Sequence, residues 1–419
     1  MLQKARQHRR LLRHHSPGPE INTLPNKTSR PLTGRPFASQ TGLPRFPEET
    51  YEALLFPFER RPARLHRAGR NSHLFRSPGG TFHRCQRRGL RRDLTAVFNY
   101  SDCGPAGVCR PMEGDTLLEH QRAVARRLGL DPEHTTGLDT AVNLDNMVLV
   151  TRQWQELWVT AAVSAGADVN ALCAGDPATL TEQAGKPCAV PAGTINIFLI
   201  TGQSFSPGAM VELALTATEA KTAVLRDLMQ GSSASARLAT GTGTDGLVIV
   251  CDDSGTSPCL LNAGKHFKFG ELAAQAVSQA VAEALMRQTG LCPDFQRSLL
   301  RRLQRFGITA ESLRVRCPGE LPGGETAFRR ALAKLDRDAF AVSTVALYLH
   351  LADQLQTGLF TPAQANDWAD HLLNELAMHF QFEASAPDAS QPLELRLEHF
   401  LAGLLLAHLR EQERLYPAS

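Results

Sequence analysis

Three short polar segments mix small residues with ionisable ones in patterns that suit catalysis or ligand binding. In residues 216–222 (TATEAKT), Glu219 and Thr222 are three apart and share one face of a helix, with Thr216 and Thr218 close by. Lys221 points elsewhere unless other structure wraps that helix. In residues 239–245 (ATGTGTD), alternating Gly and Thr offers backbone N–H groups and the hydroxyls of Thr240, Thr242 and Thr244, followed by the Asp245 carboxylate. Such a segment can cradle an anion or a developing oxyanion. It is not a Walker loop, because no Gly-Lys-Ser/Thr follows and it leads into a strand rather than a helix. In residues 264–271 (GKHFKFGE), a Gly-bounded basic loop opens a helix, a natural place for an anionic or carbonyl oxygen. His266 is the group there best placed to titrate near neutral pH. Each segment also has a plain reading: solvated helix polarity, a flexible turn, a structural histidine. Asp168 and Asn170 are lesser candidates, as is Asn196, an amide in an apolar strand that needs hydrogen-bond partners.

These segments sit among alternating strand and helix signals. Residues 147–151 (MVLVT), 157–164 (LWVTAAVS), 194–200 (TINIFLI) and 247–251 (LVIVC) read as strands, two of them near-continuous apolar runs expected of strands covered on both faces. Ser206-Pro207-Gly208 reads as an N-cap followed by Pro at the first helical position, opening a helix to about residue 229. A second helix is expected from Glu271 to about Gln288, with Gly290 as its stop. From about residue 291 strand signals vanish, and 297–306, 325–335, 339–356, 362–380 and 393–415 all carry helical periodicity, with a Pro/Ala/Ser/Asp linker over 383–392. The fold class expected is α/β, a mixed α+β layered sheet domain over 72–290, with an all-helical C-terminal extension over 291–419. Residues 1–70, rich in Pro, Arg and His, are expected to form a disordered basic tail.

Composition narrows the function classes. Of 419 residues, 42% are hydrophobic and 21% charged, enough for a real core. The net charge of +3 hides an asymmetry: residues 1–93 carry 20 Lys/Arg against 6 Asp/Glu, and the remainder 25 against 36. The body is acidic and the basic character belongs to the leading segment, which makes nucleic acid an unlikely partner, since a basic tail is not a basic groove. The longest C-terminal apolar stretch, 400–409, is interrupted by Gly403 and His408 and falls short of the roughly 20 residues that span a bilayer. Nine scattered cysteines with no Cys-x-x-Cys pair read as reduced thiols in a cytoplasmic protein, without a structural zinc site. The first 15 residues are basic but no apolar run follows them, so no signal peptide is read.

The order of the segments carries a resemblance. Residues 193–197 (GTINI), 216–222, 239–245 and 263–266 (AGKH), with Lys268 and Gly270-Glu271-Leu272, resemble adenosylcobinamide amidohydrolase, and 163–170 (VSAGADVN) with 137–141 (GLDTA) match weaker parts of that pattern. The resemblance covers about residues 72–290, and the helical extension is similar to one carried by some bacterial members. It implies a corrinoid substrate: hydrolysis of the amide joining aminopropanol to the corrin side chain, giving adenosylcobyric acid and 1-aminopropan-2-ol in cobamide salvage. Phe267 stands where the family usually has a small polar residue, Phe269 replaces an aliphatic one, and Gly246 stands where a polar residue is common. Residues 99–104 only loosely resemble the Gly-rich turn found there.

Amide hydrolysis needs an activated water or nucleophile, an oxyanion stabiliser and an acid for the departing amine. Under the resemblance, His266 is cast as general acid/base, with Asp245 orienting it or activating water. Lys265 and the backbone of 240–244 hold the oxyanion, and Glu219 is a second carboxylate. Thr240, Thr242, Thr244 and Asn196 would hydrogen-bond the corrin's peripheral amides, with Lys221 and Glu271 as further substrate contacts. No cofactor is required; whether a metal sits on His266, Asp245 and Glu219, or Thr244 acts as nucleophile, is left open. The alternative class is a non-catalytic corrinoid-binding or sensing protein in which Phe267 marks lost hydrolysis. The C-terminal helices offer faces for homo-oligomerisation or for covering the active domain. Deleting residues 1–70 is expected to leave corrinoid hydrolysis little changed, whereas a nucleic-acid-binding role for the arginines predicts loss of function; an activity assay of the truncated chain decides.

Overall fold

The computed structural model describes residues 64–67, 72–76, 82–84, 91–103, 112–178, 193–252, 255, 257–317, 320–383 and 388–415. The strands are β1 (Arg64–Arg67), β2 (Ser72–Arg76), β3 (Phe82–Arg84), β4 (Ala96–Ser101), β5 (Thr135–Thr140), β6 (Val148–Trp154), β7 (Leu157–Gly166), β8 (Ala171–Leu172), β9 (Thr194–Ile200), β10 (Ser204–Phe205), β11 (Gly241–Thr242), β12 (Gly246–Val250) and β13 (Cys259–Leu260). The helices are α1 (Leu117–Arg127), α2 (Pro207–Asp227), α3 (Lys268–Thr289), α4 (Leu299–Leu303), α5 (Ala310–Arg316), α6 (Gly324–Asp336), α7 (Ala339–Gln356), α8 (Pro362–His379) and α9 (Leu393–Leu415).

A five-stranded sheet of order β3-β12-β9-β7-β6 has β9 and β12 parallel and its other pairs antiparallel. Strand period 2 sends its side chains to two different layers. Ile195, Ile197 and Leu199 of β9 pack with Val159, Ala161, Val163 and Ala165 of β7 against α2 and α3. Phe198, Ala162, Val248 and Val250 point the other way, onto Val97 and Leu138 of a second sheet. That sheet has order β1-β2-β4-β5, with β4 and β5 parallel, and its outer face carries Ala96, Phe98 and Tyr100 against Val124 and Ala125 of α1. Four layers result: α1, the four-stranded sheet, the five-stranded sheet, and the α2/α3 pair.

Local signals explain the two long helices. The Ser206 side chain caps α2 by accepting from Ala209 N at 3.2 Å, with Pro207 at the first helical position. Ala273, Ala276, Ala280 and Ala284 give α3 a small buried face that lets it lie close to the Val/Ala surface of β7. Gly290, at φ 74°, closes α3 in the left-handed conformation that favours glycine. α3 begins at Lys268, three residues before the expected Glu271, and its head packs Phe269 on Phe205 with the Lys268 ammonium 5.7 Å over the Trp154 ring. Its other end reaches the end of β7, where Gln288 lies beside Gly166.

The helices α4–α9 share a core of their own, including Leu313, Phe328, Val345, Tyr348, Leu373 and Leu401. They touch the layered part through Arg305, which donates to the carbonyl of Ala236 while it is held by Asp353 at 2.6 Å. The α/β class with a helical C-terminal region is thus as expected, and α7 and α9 keep their expected bounds. The four-stranded sheet and α1 are additions that the apolar patterning did not show. β5 (TTGLDT) has a single large apolar residue and β4 (AVFNYS) ends in Asn, Tyr and Ser, and their full burial comes from being covered on both sides rather than from apolar composition alone. Within the expected disordered tail, 64–67 forms a strand paired with 72–76, a correction made by sheet pairing that local composition does not reveal; the rest of that tail lies outside the described residues. Cysteines 173, 259, 292 and 317 are free thiols, but Cys103 is disulfide-bonded, which corrects the expectation that all nine are reduced. No helix among the described residues is long and apolar enough to cross a membrane.

Gly137 shows how tightly the outer layers meet: an added Cβ would lie 2.0 Å from the ring of the fully buried Phe98. Gly137→Ala is expected to destabilise the protein by roughly 1–3 kcal/mol through overpacking, read as a lowered midpoint in urea denaturation.

Candidate functional site

β9 and β12 run parallel, so their first residues lie at the same end of the sandwich, and Thr194 at the start of β9 pairs with Gly166 at the finish of β7. The finish of β4 and β5 meets that same end, because the Asn196 amide donates to the backbone carbonyl of Asp139 at 3.1 Å and to Asn99 Oδ1 at 2.9 Å. Asn99 in turn donates to Ser164 Oγ at 2.9 Å, closing a buried chain of amides and hydroxyl between the two sheets. Four segments singled out in the sequence, 137–141, 163–170, 193–197 and 239–245, therefore converge on one edge.

The 239–245 segment forms this edge by folding onto α2, β8 and the start of β9. Asp245 pairs with the Lys221 ammonium, accepts from Thr242 N at 3.0 Å and Thr242 Oγ1 at 2.5 Å, and accepts from Ile195 N at 3.2 Å. Thr222 Oγ1 donates to the carbonyl of Thr240 at 2.8 Å. Thr244 Oγ1 donates to Gly193 O at 2.8 Å, lies 2.7 Å from Thr194 Oγ1, and faces the Asn170 amide at 3.4 Å. The glycines are there because nothing larger fits: a Cβ on Gly241 would sit 2.2 Å from Asp245 Oδ2, and one on Gly246 would sit 2.7 Å from Asn196 Oδ1. Gly193, at φ 130°, makes the turn into β9 with its carbonyl held by both Asn170 and Thr244.

This geometry corrects the oxyanion role expected of residues 240–244. Thr240 N donates to Leu172 O at 2.9 Å, Gly243 N to Asn170 O at 3.2 Å, Thr242 N to Asp245, and Thr244 N to Thr242 Oγ1 at 3.4 Å. These four donors are taken up inside the fold. The threonine hydroxyls are engaged likewise, Thr240 Oγ1 accepting from Ala174 N at 2.8 Å. Asn196, 1% exposed, ties the sheets together rather than facing the edge.

The structure also divides the expected catalytic set. Lys221 is buried because α2 is wrapped by the 240–245 segment, the condition under which its direction matters. Glu219, about 200° further round the helix, forms an exposed ion pair with Lys265. The 263–265 loop follows that opposite side of α2: Ala263 N donates to Glu212 at 2.8 Å, and Thr216 Oγ1 donates to Ala263 O at 3.4 Å. His266 is exposed at the head of α3 beside Phe267, and Glu271 pairs with Lys268 at 2.6 Å. His266, Lys265 and Glu219 thus form one surface group, while Asp245 and Lys221 form another on the far side of α2. The metal set of His266, Asp245 and Glu219 is not assembled.

One group at the edge escaped the sequence reading. His120 on α1, 2% exposed, directs Nε2 to Asp102 Oδ1 at 3.1 Å, with Asp139 Oδ1 at 3.9 Å. Asp102 follows β4 directly and Asp139 lies in β5, its other oxygen held by Gln121 Nε2 at 3.0 Å. His120 Nδ1 accepts from the backbone N–H of Glu113 at 3.0 Å. The hydrogen bond to Asp102 first, opposed by burial and aided by the charge of Asp139, raises the His120 pKa above its ordinary value. The three residues lie 18 to 37 positions apart in the chain, and only Asp139, inside the GLDTA match, carried any local signal.

Carboxylates and an imidazole gathered at the ends of parallel strands can serve acid–base chemistry, and the comparisons with known proteins place the chain among the amidohydrolases. The family model described as adenosylcobinamide amidohydrolase matches residues 75–293, just over half of the chain. An uncharacterised protein of Methanocaldococcus jannaschii is 35% identical over 181 residues, 41% of this chain and 70% of that protein. An adenosylcobinamide amidohydrolase of Methanosarcina mazei is 29% identical over 174 residues, 40% of this chain and 74% of that protein. The chain belongs to the adenosylcobinamide amidohydrolase family, as the motif order implied.

Asp245→Ala would leave the buried Lys221 charge without its carboxylate. It is expected to cost roughly 3–5 kcal/mol, against at most about 1 kcal/mol for Glu219→Ala in the exposed pair, both measured by denaturant unfolding. Equal effects would remove the distinction drawn between the two pairs.

Proposed function

We propose that this protein hydrolyses the amide joining aminopropanol to the corrin side chain of adenosylcobinamide, releasing adenosylcobyric acid and 1-aminopropan-2-ol, as a step of corrinoid salvage. The observation that carries the reading is the family match over 75–293. The convergence of its motif segments on one sandwich edge supports placing the reacting amide there. The side chain of the corrin enters at the edge formed by Asp102, Asp139, Asn170, Thr244 and Asp245.

In this arrangement the Lys221–Asp245 pair and the threonines around it hold the edge rigid. Positioning of a reacting amide within a few tenths of an ångström is worth several kcal/mol of barrier, and a segment bonded at the amides of Thr240, Thr242, Gly243 and Thr244 supplies that rigidity. Phe267 sits at the head of α3 with Trp154 and Phe205 nearby, whereas the other end of α3 reaches Gly166 at the edge. The departure from a small polar residue at 267 therefore falls away from the reacting amide.

Purified protein mixed with adenosylcobinamide is expected to yield adenosylcobyric acid and aminopropanol, detected by chromatography with mass detection. Intact substrate bound stoichiometrically by folded protein would instead support the corrinoid-binding alternative.

A further inference from the structure

The trio Asp102, His120 and Asp139 invites two readings, a metal site or a station for protons. The three offer ligand atoms all within 4.8 Å of one another, a spacing that a divalent cation could bridge. The hydrogen bond on the far side of the ring decides between them. A histidine that ligates a metal through Nε2 carries its proton on Nδ1 and donates it to an acceptor. Here Nδ1 faces a backbone N–H, that of Glu113, and must accept. The proton therefore resides on Nε2 and points at Asp102 Oδ1, at the position a metal would need.

We propose that Asp102 is the general acid–base of the amide hydrolysis, with His120 and Asp139 as positioning residues that act through it. The proposal rests on the hydrolase reading above and adds the group that moves the proton. Exposure separates the roles: the His120 side chain is 3% accessible and cannot meet a substrate, whereas that of Asp102 is 22% accessible. Placement agrees, since Asp102 stands directly past the carboxyl end of β4, beside its parallel partner β5, its N–H bonded to Thr140 O at 2.9 Å. Ligands of α/β sheets bind in the crevice beyond such strand ends. Asp139 is fixed on both sides, its carboxylate by Gln121 and its carbonyl by Asn196, so the trio is tied to the same inter-sheet chain as the rest of the edge.

The proton accounting closes on one residue. The Asp102 carboxylate takes a proton from water as the water oxygen bonds to the amide carbon. The resulting tetrahedral intermediate collapses with cleavage of the C–N bond, and Asp102 returns the proton to the departing nitrogen. The products are the corrin carboxylic acid and the free amine, and Asp102 ends as the carboxylate it began. His120 donates to Asp102 throughout, and Asp139 lies beside that contact at 3.9 Å.

The groups facing His120 are Asp102 after β4, Asp139 of β5, the Glu113 amide, and the edge of the Tyr100 ring at 6.2 Å. The Tyr100 hydroxyl accepts from Arg127 at 2.6 Å, and Arg127 also pairs with Glu113. Because the His120 pKa lies above its ordinary value, acidification puts a proton on Nδ1, at the expense of the Glu113 contact, before an ordinary histidine would charge. The charged ring weakens Asp102 as a base, so turnover should rise with pH as the Nδ1 proton is lost, through a limb near or above the ordinary imidazole value of about 6.5.

The test combines kcat–pH profiles for adenosylcobinamide hydrolysis with nitrogen NMR of histidine-labelled protein, on the full chain and on Asp102→Asn, His120→Gln and Asp139→Asn. Asp102→Asn is expected to lower kcat by about 10²–10⁴-fold with corrinoid binding retained. His120→Gln is expected to move the acid limb down towards the carboxylate range, and Asp139→Asn to move it less. The NMR should show His120 as the Nε2–H tautomer with a raised titration that falls in Asp102→Asn. Near-normal turnover in Asp102→Asn would overturn the proposal, as would chelator-sensitive activity restored by a divalent cation in the native chain but not in the variant. An inactive native chain would speak against the hydrolase reading. The NMR still judges the trio in that case: an Nδ1–H tautomer, or a titration unchanged by Asp102→Asn, overturns it independently of turnover.

Discussion

Asn196 sits in the middle strand of the five-stranded sheet with its amide directed across the inter-sheet layer, where Asn99 Oδ1 and the Asp139 carbonyl receive it. A polar side chain in such a layer is costly unless its hydrogen bonds are made, and only one register of the two sheets makes them. That requirement sets where β4 and β5 finish relative to where β9 and β12 begin. It also explains the bare backbone opposite: Gly246, the register partner of Asn196, has no room for a side chain because Asn196 Oδ1 fills the space. Asp245 and Asp139, the carboxylates nearest this amide in their chains, are positioned by the same constraint.

Around that anchor the protein uses two kinds of ionic contact. The Lys221–Asp245 pair is largely shielded and further held by the Thr242 hydroxyl and two backbone amides, which compensates the desolvation of both charges. The Lys265–Glu219 pair is open to water, where screening and side-chain entropy leave little net gain. One helix thus carries on one side a contact that shapes the edge, and on the other a contact that decorates the surface. The Gly/Thr segment follows the same logic. Its composition suggests donors awaiting an anion, yet its amides and hydroxyls close on β8, Asn170 and Asp245, making it a rigid wall of the edge rather than its oxyanion cradle.

The helical extension has its own apolar core but reaches the layered part at a telling place. Arg301 of α4 lies 3.9 Å from Asp168, which follows β7 at the edge, and burial pushes the Asp168 carboxyl up from its usual value. Arg305, stacked 4.2 Å over Phe306, meets the 231–238 turn that precedes the Gly/Thr segment. The family match ends before these helices, at residue 293. They are nonetheless in contact with the loops that flank the edge.

Periodicity and capping signals in the sequence were sufficient for the parts of the fold whose stability is local or evenly apolar. The β9 run, the Ser206-Pro207 start of α2, the Gly290 stop of α3 and the bounds of α7 and α9 all follow from side-chain pattern and backbone preference alone. The order of the motifs likewise carried the family. The strands β4 and β5 were not legible: in β5 Thr, Gly and Asp become strand-forming only when a second sheet and α1 cover them, and in β4 the apolar run is only Ala96, Val97 and Phe98 before Asn99. Nor was the partnership of Lys221 with Asp245, or of His120 with Asp102 and Asp139. A sequence lists the groups that can ionise, but their pairing depends on which side of a helix another chain segment passes, and that is decided only when the layers close.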